Sequence, residues 1–198
     1  MPLNCEVKFA DFLPGTEIKK RISNAALPDF VNLDYIMSIE EPNLVEDESL
    51  DFVIAGHVIE HLRNPLRAFE QVYRKLKKGG QFVLVVPEKT RTYDRERHLT
   101  TTEHLILDYE NPDRQRDKAH FLDFLAKVYN VPGHELEHRA EYENSSNGDI
   151  HFHVWTHDTF AELVAYSRQR ISPWKAVWSQ PSIDEHPESI EFYYTLEK

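Results

Sequence analysis

The chain has 198 residues and a single cysteine, Cys5. One thiol cannot close an internal disulfide, so a disulfide-stapled secreted scaffold is excluded and a reducing, cytoplasmic setting is expected. No apolar run approaches the roughly 20 residues of a membrane span. The start MPLNCEVKF also lacks the charged-then-apolar pattern of a signal peptide. Cations are scarce: 23 Lys plus Arg stand against 34 Asp plus Glu, a formal net charge of -11. A general electrostatic footprint for nucleic acid or anionic lipid is therefore missing. With 6 Gly, 11 Pro and no repeat or low-complexity tract, solenoids and disordered tails are disfavoured. The length fits one domain over residues 1–198 with a sizeable core.

What the chain does have is strand and helix alternation between Ser49 and Pro87. Leu50 to Ala55 is a short, nearly continuous apolar run, as expected of a parallel strand buried on both faces. Asn64 and Pro65 then read as an N-cap followed by proline at the first helical position. Leu66, Phe69, Val72, Tyr73 and Leu76 recur at helical spacing, and the helix is expected to end on Lys75, Lys77 and Lys78, stopped by Gly79 and Gly80. QFVLVVP follows as a second parallel strand with a right-handed crossover.

Weaker signals extend the alternation. Glu6 to Phe12 reads as a strand, Thr16 to Ile22 as a helical turn, and Phe30 to Ile36 as another strand. Thr156 can cap a helix in which Phe160, Leu163, Val164 and Ser167 face inward. Trp174 to Trp178 and Ile190 to Leu196 read as an antiparallel pair at a sheet edge. Residues 88–150 form a long polar insertion, with helices from Thr100 or Thr101 to Tyr109 and from Asn111-Pro112 to Tyr129. Such an insertion after a strand's carboxyl end is a natural lid.

The blocks ESLDFVIAGHVIEHLRNPLRAFEQVYRKLKKGGQFVLVVP, RTYDRERHLTTTEHLILDY and DIHFHVWTHDTFAELV, with the terminal strand pair, resemble class I S-adenosylmethionine-dependent methyltransferases. The likeness is to the type 11 group associated with polysaccharide biosynthesis. It implies an α/β, Rossmann-like methyltransferase sheet, incomplete at its N-terminus, with a helical lid and a C-terminal antiparallel strand pair. The family's first strand and Gly-rich turn have no counterpart, since Gly15 is the only glycine before Gly56. The edges flanking that missing strand are expected to lie unpaired, which suggests self-association as a homodimer.

The resemblance implies S-adenosylmethionine as cofactor, with Asp11 at the ribose, Asp34 and Tyr35 at the adenine region, and Gly56 and His57 at the methionine end. Arg91, Tyr93, Arg95, His151 and His153 are the expected binding set for a small polar or saccharide acceptor, with His57 or His104 as general base. A second reading is an inactive methyltransferase-like protein kept as a binding or assembly partner. A third comes from His57-Val58-Ile59-Glu60-His61, the H-x-x-E-H pattern of inverted zinc peptidases. That pattern needs both histidines on one face of a long helix, whereas here it follows a buried strand. His151 and His153 alternate as strand neighbours would, a workable nitrogen pair, but no residue is assigned as a metal ligand.

Overall fold

The computed structural model describes residues 5–21, 31–183, 186 and 188–198. Two short strands, β1 (Ala10–Asp11) and β2 (Tyr35–Ile36), pair in parallel, with helix α1 (Gly15–Arg21) between them. The expected ends of these elements at Ile22 and Phe30 lie outside the described residues.

A separate four-stranded sheet holds β3 (Leu50–Gly56), β4 (Leu76–Pro87), β5 (Ala176–Gln180) and β6 (Glu191–Glu197) in the order β3-β4-β6-β5. β3 and β4 run parallel, joined through α2 (Pro65–Lys75), whereas β4–β6 and β5–β6 are antiparallel. Among the described residues β3 pairs with β4 alone, so it is an edge strand, and Ile54 on it is 64% exposed.

Helix α2 starts as its residues dictate: the Asn64 side chain accepts from Arg67 N–H and Pro65 takes the first turn, where no N–H is needed. It stops at Lys75, three residues before the expected end. Leu76 pairs with Leu50, and the ladder irregularity between that pair and Phe52↔Gln81 draws residues 76–80 into β4. Gly79 sits there at φ 78, a backbone region open to glycine.

Three helices fill the insertion: α3 (Thr102–Glu110), α4 (Arg114–Lys127) and α5 (Gly133–Ser145). Thr101 caps α3 and Asp113 caps α4 through their side-chain oxygens. Leu105 of α3 joins the main core, whereas α4, α5 and Phe152 share a second core around Phe121 and Phe124. Helix α6 (His157–Arg170) begins in a reciprocal capping box between Thr156 and Thr159 and buries Phe160, Leu163, Val164 and Ser167 against the sheet.

Phe160 touches Phe69, Trp155, Phe192 and Tyr194 with no surface left in water. Phe160→Ala is expected to cost about 3–5 kcal/mol in urea unfolding. Ile54→Ala on the open edge should stay within about 0.5 kcal/mol.

Candidate functional site

The site begins where β3 ends. His57 N–H still donates to Val85 O at 3.0 Å, but its backbone turns left-handed at φ 53, and a three-residue 3-10 turn over Ile59–His61 follows. This throws the His57 ring across to β6, where Nε2 meets Glu191 Oε1 at 3.1 Å. Nδ1 lies 3.4 Å from Glu60 Oε1. That distance is an ion-pair contact without hydrogen-bond geometry, so both oxygens of the fully buried Glu60 carboxylate lack a donor. The close side-chain contact with Glu60 has the largest influence: against the opposing effect of burial and with help from Glu191, it raises the His57 pKa to about 9.

HVIEH therefore does not form the ligand pair of an inverted peptidase. A 3-10 turn replaces the long helix, His57 faces the two glutamates, and His61 Nδ1 bonds Asp149 at 2.9 Å. Burial works against a charged His61, but Asp149 and Glu60 outweigh it and raise its pKa.

Beside this turn the lid contributes a polar chain. The buried Arg97 reaches Asp94 Oδ1 (2.9 Å), His151 O (2.7 Å) and Asp123 Oδ2 (2.9 Å). Asp94 Oδ2 bonds His151 Nδ1 at 2.6 Å, and His151 Nε2 meets the Tyr93 hydroxyl at 2.7 Å. Burial would raise the Asp94 pKa, but His151 and Arg97 reverse that and hold it low. The His151 ring stands edge-on to His61 at 4.8 Å, which places Tyr93 and His151 next to HVIEH.

Arg91 is used otherwise, with Nη1 donating to Ile183 O, His186 O and Ser189 O in the β5–β6 loop. Arg95 is exposed on the neighbouring 3-10 turn. His153 is wholly enclosed and faces a different group, His104 and His120. His104 Nε2 lies 2.9 Å from His120 Nε2 and 3.0 Å from Asp108 Oδ2, so the residue named as an alternative base belongs to this inner cluster. Burial, with the His104 charge adding to it, lowers the His120 pKa to about 4. Burial likewise pushes His153 far down.

The expected cofactor residues are split between the two sheets. Asp11 Oδ1 accepts from Leu13 N–H at 2.8 Å, and Asp34 Oδ2 accepts from Phe9 N–H at 2.8 Å, so each carboxylate is partly spent on local backbone. Tyr35 lies in β2 with Lys8 over its ring. Gly56, on the other sheet, has room for a Cβ, whose nearest neighbour would be Val85 at an ordinary 3.9 Å. No close backbone cradle is built there.

One residue escaped the sequence reading, and another was seen only as part of a motif. Glu191 opens the last strand, and nothing local marks it, because its role arises from the Pro87↔Glu191 register. Glu60 was in view inside HVIEH, and its signal was a charged residue in an otherwise buried stretch.

Fold and turn together define an α/β domain with a polar turn just past the carboxyl end of the parallel strand β3, the end at which open α/β sheets place their ligands. Residues 15–84, about a third of the chain, match the family model of a methyltransferase domain. Over that segment the chain is similar to methyltransferase domains. No curated protein matches the sequence. Among solved structures, a Thermotoga maritima S-adenosylmethionine-dependent methyltransferase, described as a possible histamine N-methyltransferase, is 13% identical. The match covers 99% of this chain and 84% of that one, with a TM-score of 0.48. A Methanosarcina mazei S-adenosylmethionine-dependent methyltransferase is 13% identical over 96% and 80% of the two chains (TM-score 0.43). An arsenic(III) S-adenosylmethionine methyltransferase from Chlamydomonas reinhardtii is 16% identical over 95% and 52% (TM-score 0.41). The chain thus spans about half the length of some of the proteins it resembles.

Tested against the cofactor, the described residues do not suffice: the acidic groups sit on one sheet, Gly56 on another, and no glycine cradle joins them.

The His57 contacts yield a titration. Its imidazole should stay protonated through neutrality and lose its proton near pH 9 in NMR. Because the folded value is raised, the stabilisation from pairing is full below the ordinary imidazole range and is lost as pH rises through about 9. Glu60→Gln should bring the His57 value down towards 6.5.

Proposed function

We propose that this chain is the acceptor-handling part of an S-adenosylmethionine-dependent methyltransferase for a small polar or sugar acceptor, soluble in the cytoplasm. The observation that carries the reading is the Glu60–His57–Glu191 arrangement at the lip of β3. The cofactor of this family supplies an electrophilic sulfonium methyl; the residues here deal with the acceptor and its proton.

His57, cationic at neutral pH, has one ring nitrogen towards each glutamate, so it is a poor base and a good positioning residue. It lies between the buried Glu60 and Glu191 and orients the Glu191 carboxylate. Glu191, whose side chain is 24% exposed, is the group that meets an incoming hydroxyl and takes its proton. Tyr93 and His151, held by Asp94 and Arg97, form the lid side of the acceptor pocket and offer hydrogen bonds to sugar-like hydroxyls.

A second reading, a binding or assembly partner without turnover, is favoured by the unpaired edge of β3 and the separation of the two sheets. Under both readings cofactor affinity in this chain alone is weak, and micromolar S-adenosylmethionine binding by calorimetry would contradict that expectation.

Turnover separates the two. Radiolabelled methyl transfer to a panel of small sugars at millimolar cofactor should proceed and fall about a hundredfold in Glu191→Gln. It should also decline as pH rises through about 9, where His57 loses its charge. Absence of transfer, with the panel still shifting the His57 resonance, would select the binding reading.

A further inference from the structure

We propose that His104, His120 and His153 form a binding site for one divalent transition-metal ion of the zinc type. It lies apart from the His57 turn and fastens the helical lid to the sheet.

The three rings come from three separate elements: His104 from α3, His120 from α4, and His153 from the segment leading into α6. One ligand nitrogen from each lies within 4.8 Å of the others. The ring centroids are 4.8 Å apart for His104–His120 and His120–His153, and 5.7 Å apart for His104–His153.

The strongest observation is His153. It has no exposed surface, and neither ring nitrogen has a hydrogen-bond partner. A neutral imidazole normally satisfies one donor and one acceptor nitrogen, and leaving both unmade in the interior is costly. An ion at the centre of the cluster removes the acceptor deficit.

The chemistry of the donor set fits. Three neutral imidazoles suit zinc, cobalt or nickel and do not suit calcium or magnesium, which take oxygen. Zn–N bonds of about 2.0–2.1 Å in a tetrahedron place ligand nitrogens about 3.3 Å apart. The His104–His120 pair at 2.9 Å therefore needs to open by only a few tenths of an ångström. Asp108, whose Oδ2 is 3.0 Å from His104 Nε2 and whose Oδ1 is held by Arg116, supplies negative charge at the rim.

The second cluster of this kind, Glu60, His61 and His151, is a weaker candidate. Its imidazoles are already engaged by Asp149, Asp94 and Tyr93.

The placement also gives the ion a task. His153 N–H donates to Glu60 O at 3.2 Å, so the segment carrying His153 is stitched to the HVIEH turn. An ion shared with α3 and α4 would lock both lid helices onto that turn.

The test is metal loading of the full chain, with Co2+ absorption in the visible and elemental analysis after dialysis against Zn2+. The expected result is one ion per chain, a tetrahedral cobalt spectrum, and a thermal midpoint raised by about a few degrees and returned by chelator. His120→Gln, at a half-buried rim position and checked for folding by circular dichroism, should lose the ion, as should His153→Ala. His151→Ala and the exposed His134→Ala should keep it. The proposal is overturned if the wild-type chain retains no ion, if His120→Gln and His153→Ala both still load, or if loading is lost in His151→Ala and kept in His120→Gln.

Discussion

Strand β4 is the element on which the rest depends. It is the strand paired with both β3, in parallel, and β6, antiparallel, and Phe82, Leu84 and Val86 on it are fully buried. Its parallel pairing sets where β3 stops and hence where Gly56 and His57 emerge; its antiparallel pairing brings Glu191 opposite Pro87. The His57–Glu191 contact is thus a consequence of strand register across 134 residues of sequence. A one-residue slip of β6 would turn Glu191 to the other face.

The second constraint is electrostatic. Glu60 is fully buried beside a half-exposed imidazole, and a buried carboxylate needs a nearby positive charge. His57 meets that requirement, since its contacts with Glu60 and Glu191 raise its pKa to about 9; under the proposed function the acceptor's proton is then left to Glu191. The same five residues that spell a peptidase pattern are arranged differently here, because the backbone after β3 forms a 3-10 turn.

Much of the fold was legible wherever a segment carries its own instructions. The α6 stripe of Phe160, Leu163, Val164 and Ser167 is buried as its spacing implies, and the Thr101 and Thr156 caps fall where a hydroxyl precedes an apolar pattern. The sequence reading expected an unpaired edge beside Leu50 to Ala55, and among the described residues β3 pairs with β4 alone. Helix α5 was not legible: Gly133–Ser145 is almost wholly polar, with Ala140 its one buried residue, so it has no apolar stripe to find. The α2–β4 junction was misplaced because the three lysines suit a helix end, whereas pairing of Leu76 with Leu50 depends on a partner strand outside the window. His57, Tyr93 and His151 were named from the sequence, but their grouping was not. His151 and His153 alternate in sequence yet face different clusters, since one meets Asp94 and Tyr93 and the other meets α3 and α4.

The central claim is that, among the described residues, the sheet ends at β3. Amide hydrogen exchange reads this directly, because only hydrogen-bonded ladder amides are protected. The account predicts strong protection along β4 and, in β3, protection only of the alternate amides that face β4, with the outward set exchanging quickly. Uniform protection of Leu50 to Gly56 at the level of β4 would show that another strand covers that edge and would contradict it.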